Sequence, residues 1–350
     1  MKNNDRVLEL NSISHAYGKH LVVKQLSLTL EKGQIGCILG QSGCGKTTVL
    51  RTIAGFEPLL DGSILLNGKE VSRKGWSLRP SKRKVGMVFQ DYALFPHLTI
   101  LDNIAFGLSD MERSERLIRV NEMLNLVGLE KDQKKYPHEI SGGQQQRVAI
   151  ARALAPKPEL LLMDEPFSNL DVTLRERLSM EVRDILKEYG ATALFVTHNQ
   201  HEAFAVADEV GVMSEGKMLQ WDRAYNLYHE PKNIDVAGFV GEGVLIPGIM
   251  EKNNKVRTGL GVLPCEEYGE YKEGDNLKVL VRPEDIVHDD ESPVVAEVLR
   301  RNFRGPNLLY ILRLENGDKV QVLVSSHHEH KIGEKIGIRP DVFHVVLFPG

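Results

Sequence analysis

Long apolar runs are missing from this 350-residue chain. No stretch approaches the ~20 apolar residues with which a helix spans a bilayer. The opening MKNNDRVLEL also lacks the apolar core of a secretory signal. A cytoplasmic chain is expected, found at a membrane only where a partner holds it. Cysteine is scarce: Cys37, Cys44 and Cys265 are odd in number and scattered. That excludes a disulfide framework and fits a reducing compartment. A basic excess is absent too. Lys plus Arg number 44 against 48 Asp plus Glu, a formal charge of −4, whereas a dedicated nucleic-acid binder carries surplus positive charge. The 31 glycines and 15 prolines show no period, which excludes collagenous and low-complexity classes. What is present is ordinary globular material, 42% hydrophobic and 26% charged. At roughly 150 residues per domain it makes about two domains.

The hydrophobic pattern divides the chain. Residues 7–8 and 26–30 read as strands joined by a turn around Tyr17-Gly18-Lys19. Short apolar runs at 35–39, 85–89, 160–163 and 193–197 read as buried strands. The run Ile64-Leu65-Leu66 lies between Asp61-Gly62 and Asn67-Gly68, a hairpin pattern. Helices are expected at 49–54 and through much of 99–155. Leu117, Val120, Leu124 and Val127 form one apolar stripe, and Leu174, Leu178, Val182 and Ile185 another. Strands alternating with helices imply a mostly parallel sheet covered by helices. After about Gly241 the texture becomes short β-like runs at 278–281, 294–299, 308–314, 320–324 and 342–347, with Asn316-Gly317 as a hairpin turn. The expected boundaries are 1–238 and 239–350.

Two motifs carry chemistry. Gly40-Gln41-Ser42-Gly43-Cys44-Gly45-Lys46-Thr47-Thr48 follows a strand and opens a helix, the context a phosphate-binding loop requires. Its glycines let backbone N–H groups wrap phosphate oxygens at a helix N-terminus. Lys46 reaches the β- and γ-phosphates, and Thr47 offers a hydroxyl to Mg²⁺. Downstream, the apolar strand Leu160-Leu161-Leu162-Met163 ends in Asp164-Glu165. Carboxylates delivered to the sheet edge beside that loop suit Mg²⁺ binding, here by Asp164, and activation of water, here by Glu165.

With Ser141-Gly142-Gly143-Gln144-Gln145-Gln146-Arg147 added, the chain resembles the ATP-binding-cassette (ABC) family over roughly residues 5–235. This string looks like the family signature, preceded by Ile140 where the family usually has Leu. The resemblance implies a P-loop NTPase α/β fold: a mixed sheet core, an antiparallel β-subdomain and a helical subdomain at about 91–158. It implies ATP and Mg²⁺, and a homodimer of cassettes in which Ser141, Gly142, Gly143 and Gln144 grip ATP held by the other copy. Tyr17 resembles the aromatic that stacks on adenine, and Gln90 the glutamine that touches Mg²⁺ and water. Asp171, within Ser168-Asn169-Leu170-Asp171, resembles the key residue of the loop crossing the dimer interface. His198 resembles the switch histidine on the γ-phosphate. Glu165 is then the general base.

The same resemblance implies an integral-membrane permease, docked at 91–99, with a periplasmic solute-binding protein acting indirectly. The chain would sit peripherally on the cytoplasmic face of the inner membrane, with no nucleic-acid partner. Val281-Arg282-Pro283-Glu284-Asp285-Ile286 resembles a motif of the small all-β, OB-like barrel appended to bacterial solute-importer ATPases, used for dimerisation and regulation. Phe239-Val240-Gly241-Glu242-Gly243-Val244 leans towards ferric iron as cargo. Phosphonate, polyamine, sulfate and sugar are the alternatives, and a permease-free soluble ABC ATPase is the reading from another class. The run His327-His328-Glu329-His330 reads first as a solvated turn and second as a metal sensor.

Overall fold

The computed structural model describes residues 5–168, 172–265, 271–327, 329–342 and 345–350, leaving aside the side chains of 172–174. The chain folds as two units, Met1–Tyr225 and Asn226–Gly350.

The first unit opens with a twisted antiparallel sheet. β1 (Arg6–Tyr17) and β2 (His20–Glu31) pair through the predicted turn, and β4 (Asp61–Leu66), β5 (Lys69–Arg73) and β6 (Trp76–Ser77) extend the sheet in the order β2-β1-β4-β5-β6. Asn67 and Gly68 have φ of 47° and 71°, the paired positive values of the tight turn that joins right-twisted strands. Between β2 and β4 the chain makes β3 (Ile35–Leu39) and α1 (Lys46–Ala54).

The second sheet of this unit is the one that positions chemistry. β7 (Val85–Val88), β8 (Leu160–Asp164), β9 (Ala193–Thr197), β3 and β10 (Glu209–Ser214) lie side by side and parallel, with β11 (Lys217–Asp222) antiparallel at the edge. Ile35 to Leu39 and Ala193 to Thr197 are buried at every position, as a sheet covered on both faces requires. Helices α2 (Ile100–Ala105), α3 (Arg113–Leu126) and α4 (Gly142–Leu154) fall between β7 and β8, in the expected helical stretch. α5 (Val172–Tyr189) and α6 (Gln200–Val206) complete the unit.

The stripe expected on α3 is only partly interior. Val120, Leu124 and Val127 are buried, but Leu117 is 53% exposed. It lines an open concavity of about 510 Å³ with Leu98, Leu101, Phe106, Arg113 and Arg116. On α5, Leu178, Val182 and Ile185 are buried as expected, and Leu174 lies outside the described side chains.

The second unit begins within α7 (Ala224–His229) and takes α8 (Ile234–Phe239) into a β structure. β12 (Val244–Glu251), β13 (Lys255–Thr258), β14 (Gly261–Pro264), β15 (Asn276–Val281), β16 (Ile286–His288), β17 (Val295–Phe303), β18 (Asn307–Leu314), β19 (Lys319–Ser325), β20 (Lys335–Pro340) and β21 (Val346–Pro349) form two antiparallel five-stranded sheets. Ile246, Val279, Val298, Tyr310, Leu312 and Val322 share one core between the sheets, making the nearly closed all-β barrel that was expected.

The string 239–244 turns out to serve this unit's packing. Arg282 is buried and its Nη1 donates to the carbonyls of Ala237 (3.3 Å) and Glu242 (3.1 Å). Its Nη2 donates to Tyr228 O at 3.2 Å, and the guanidinium lies 4.3 Å from the Tyr228 ring centroid. Gly241, at φ +83°, lies where a Cβ would come within 2.3 Å of the Tyr228 ring. His330 pairs with Glu334 at 3.2 Å, its ring 4.8 Å from that of His288. Among the described residues no group of three or more His, Cys, Asp or Glu could hold a metal ion, and His328 lies outside them.

Candidate functional site

Parallel strands bring their carboxyl ends to one edge. Leu39 is in register with Thr197, and Asp164 with Val196. The residues that follow β3, β8 and β9 therefore converge, where open α/β sheets bind their ligands. The loop after β3 is pinned there by Gly40 N donating to Thr197 O, and the turn after β8 by Glu165 N donating to Val196 O.

The loop Gly40 to Gly45 has the space and donors for phosphate. A Cβ on Gly40 would lie 2.4 Å from Met213 O and 2.7 Å from Cys44 Sγ, so only glycine passes. Gly43 and Gly45 adopt φ of +84° and +107°, the left-handed region natural to glycine. Gly45 is the N-cap of α1 and no side chain caps that helix, which leaves its first N–H groups for an anion. Lys46 is buried and its Nζ donates to Gly40 O (2.8 Å) and Gln41 O (2.9 Å), turned back over its own loop. Ser42 and Thr47 are exposed, and Thr48 is buried beneath. Burial pushes the Cys44 thiol up from its ordinary value, so it remains protonated packing material.

Thr47 Oγ1 donates to Asp164 Oδ1 at 2.9 Å. This hydroxyl and carboxylate supply oxygens of the kind a hard cation takes. Burial pushes the Asp164 carboxyl up, with the Thr47 hydrogen bond acting against that shift. Glu165 stands next, at φ +43°, and the His198 ring Nδ1 lies 3.2 Å from its Oε2. Lys46, Thr47, Asp164, Glu165 and His198 are thus gathered at one edge by direct contacts or by chain continuity. Gln90 is exposed two residues beyond β7 in the same sheet.

Tyr17 ends β1 with a half-exposed ring. Its hydroxyl donates to Glu57 Oε1 at 3.2 Å, and His15 meets the ring edge-on at 4.6 Å. His15 Nδ1 is anchored 2.7 Å from Pro58 O. Glu57 also receives Arg51 of α1 at 3.4 Å. An aromatic face is thereby held beside the loop helix.

The signature residues stand apart on another element. Ser141 is the N-cap of α4; its Oγ accepts from Gln144 N, while Gln144 Oε1 accepts from Ser141 N at 2.9 Å. This capping box occupies Gln144 in holding the turn. A Cβ on Gly143 would lie 2.6 Å from Leu178 of α5. Asp171 lies outside the described residues.

Glu202 is a residue that sequence reasoning missed. The spacing Asn199-x-x-Glu202 reads as a helix cap, and Asn199 does cap α6. Glu202 instead turns inward and is 5% exposed. An acidic residue three positions after a capping Asn was the only signal, and it pointed to solvent. Glu57 left no signal at all.

Comparison with known proteins bears on this geometry. The family described as ABC transporter matches residues 23–168, and that described as TOBE domain matches 279–348. A Haemophilus ducreyi protein described as spermidine/putrescine import ATP-binding protein PotA is 40% identical over 353 residues, 95% of this chain and 94% of its own. Its namesake in Clostridioides difficile is 38% identical over 348 residues, 98% of each chain. Another, from Thermotoga maritima, is 44% identical over 286 residues, 80% of this chain and 77% of its own. Among solved structures, cbiO1 from Clostridium perfringens, described as part of the ABC transporter complex cbiONQ, matches with a TM-score of 0.58 at 28% identity, over 63% of this chain and 89% of that one.

Proposed function

The chain belongs to the ABC transporter ATP-binding family, and from that premise we propose that it is the ATP-hydrolysing motor of a polyamine importer. The sequence alone put ferric iron first and polyamines among the alternatives. Relatives that align end to end are named for spermidine and putrescine import, and that observation carries the cargo. The string that leaned towards iron, 239–244, is used up in bonds and packing around Tyr228 and Arg282, so it reports on the fold of the second unit and not on what is moved.

In this reading the N–H groups of the 40–48 loop and Lys46 take the phosphates of ATP, and Tyr17 stacks on the base. Thr47, Asp164 and Gln90 would hold Mg²⁺, which when bound offsets charge on the β- and γ-phosphates. Glu165 orients the attacking water and accepts its proton. His198 bonds Glu165 through one ring nitrogen and presents the other to the γ-phosphate. Ser141 to Gln144, opening α4, offer a second anion site to ATP on another copy, so two chains close over two nucleotides with Asp171 at the crossing. The concavity beside Leu98, Phe106 and Leu117 receives a cytoplasmic helix of the permease. The barrel dimerises and regulates. The complex works at the cytoplasmic face of the inner membrane, fed by a periplasmic solute-binding protein.

The test is uptake by cells lacking this chain. Loss of labelled spermidine or putrescine uptake, with ferric-iron uptake unchanged and import restored by the wild-type chain but not by Lys46→Ala, is the expected result. Unchanged polyamine uptake alongside lost iron uptake would return the reading to iron.

A further inference from the structure

Glu202 lies on α6 with 5% exposure, and a carboxylate so buried persists only with partners. Its two oxygens go separate ways. Oε2 accepts from Thr197 Oγ1 in a short bond. Oε1 lies 3.4 Å from Arg175 Nε on α5. Thr197 is itself 1% exposed and is the last residue of β9. Its hydroxyl also accepts from Asn199 N at 3.0 Å. Asn199 Oδ1 in turn accepts from His201 N at 2.8 Å and Glu202 N at 3.4 Å.

These bonds enclose one residue. His198 stands between Thr197 and Asn199, and both neighbours are fastened, one by side chain and the other by backbone N–H and side chain. The His198 side chain, by contrast, is half exposed, and its ring is bonded to Glu165. Its aim is therefore set from behind, through the backbone. Burial pushes the Glu202 carboxyl up, while Thr197, Arg175 and His198 pull it down and Glu165 across the edge works with burial.

We infer that Glu202 and Thr197 are positioning residues for His198: the Glu202–Thr197–Asn199 bonds hold the switch loop in register with Glu165, and Arg175 ties that hold to α5. The inference deepens the reading of His198 given above and rests on it. α5 begins immediately after residue 171, so the pair Arg175–Glu202 links the segment expected to cross the cassette dimer with the histidine expected to touch phosphate.

The experiment is a double-mutant cycle on ATP turnover in the full chain, with nucleotide affinity and melting temperature measured on every variant. Thr197→Val removes the hydroxyl at nearly constant volume, and Thr197→Ser restores it. The expected result is a kcat about tenfold lower for Thr197→Val, the size of one charge-assisted hydrogen bond. ATP affinity should stay within about twofold, and Thr197→Ser should recover most of the loss. In a His198→Ala background Thr197→Val should cost little more, because residues acting as a unit are not additive. Should Thr197→Val not fold, the same cycle is run with Glu202→Gln. Wild-type kcat in Thr197→Val, or equal losses in the Val and Ser variants, overturns the inference. So does a loss that adds fully to that of His198→Ala. A His198→Ala variant with undiminished kcat overturns the reading of His198 itself, and the inference with it.

Discussion

At the scale of single residues the candidate site carries backbone strain. Glu165 is held at φ +43°, a left-handed conformation that costs a residue with a Cβ about 1–2 kcal/mol. Structures keep such strain where surrounding contacts enforce it, commonly at reacting centres. Here the Val196 carbonyl takes its N–H, and its own carbonyl accepts from Ser168 N and Oγ. The backbone is thus fastened while Oε2 faces His198. Glu165→Gln keeps the shape and removes the carboxylate proposed above as the proton acceptor. Turnover should fall at least ~100-fold with ATP affinity nearly unchanged, read by steady-state phosphate release beside equilibrium nucleotide binding; retained hydrolysis would refute the general-base role. Asp208 shows a residue working for stability instead. Burial opposes its charge, but hydrogen bonds from Lys187, Ile35 N and Arg183 outweigh burial and hold the carboxyl below its ordinary value. A value lowered by folding stabilises the protein above the unfolded value, and that gain is lost as pH falls through the folded one. Asp208→Asn should therefore cost about 1–2 kcal/mol at neutral pH. The gap from wild type should close as unfolding is repeated at falling pH through the acid range. A gap that did not change with pH would mean the carboxylate's charge contributes nothing.

At the scale of elements, a buried arginine joins a helix to two strands. Arg83 is 2% exposed. Its Nη1 donates to Thr52 O and Ile53 O at the end of α1, its Nε to Leu78 O, and its Nη2 to Val71 O, Ser72 Oγ and Ser77 Oγ. Burial lowers its pKa to about 10, still charged at neutral pH. One guanidinium thus satisfies carbonyls that the helix end leaves open. Arg83→Ala should destabilise the first unit by about 3–5 kcal/mol, since breaking a buried charged network strands its partners. Arg83→Lys should recover little, lacking the planar fork. Urea unfolding measures both, and a loss of unfolding free energy in Arg83→Ala of no more than about 1 kcal/mol would show the junction to be ornamental. Junctions of this kind are where the sequence was hardest to read. β3 and β9 were legible to the residue, because short apolar runs between turn residues have one simple reading. The loop at 40–48 and the pair Asp164-Glu165 were legible because their chemistry is contiguous in the chain. Arg83, Glu57 and Glu202 were not, because each derives its role from groups that fold to it from elsewhere. Leu117 was misread for the opposite reason: its spacing matches the buried stripe, but helical periodicity says nothing about where a neighbouring element stops covering it.

At the scale of the whole molecule the question is where one folding unit ends and the next begins. A change of texture at Gly241 suggested 238/239, whereas the fold divides at Tyr225 and Asn226. The difference is physical. Residues 226–238, with the end of α7 and most of α8, look like the tail of an α/β unit, yet they hold groups the barrel needs. Arg282, within the Val281-Arg282-Pro283 string, reaches back to Tyr228 O and Ala237 O and lies over the Tyr228 ring. Ala237 packs with Leu280 and Phe348. A fragment of residues 226–350 retains all of these contacts and the shared core of both sheets, and should fold alone with one cooperative transition. Of the three carbonyls that accept from Arg282, those of Tyr228, Ala237 and Glu242, a fragment of residues 239–350 keeps only the last and leaves a buried guanidinium short of partners. Hydrogen bonds to charged groups contribute about 1.5–3 kcal/mol each, and the lost ring contact adds about 0.5–2 kcal/mol. The shorter fragment should therefore be less stable by at least about 2 kcal/mol, or fail to fold. Arg282→Met in the shorter fragment should recover part of that difference, because a buried charge without partners is worse than an apolar side chain of similar length. Circular dichroism melts of the three proteins decide the matter. Equal melting of the two fragments would place residues 226–238 outside the barrel's folding unit.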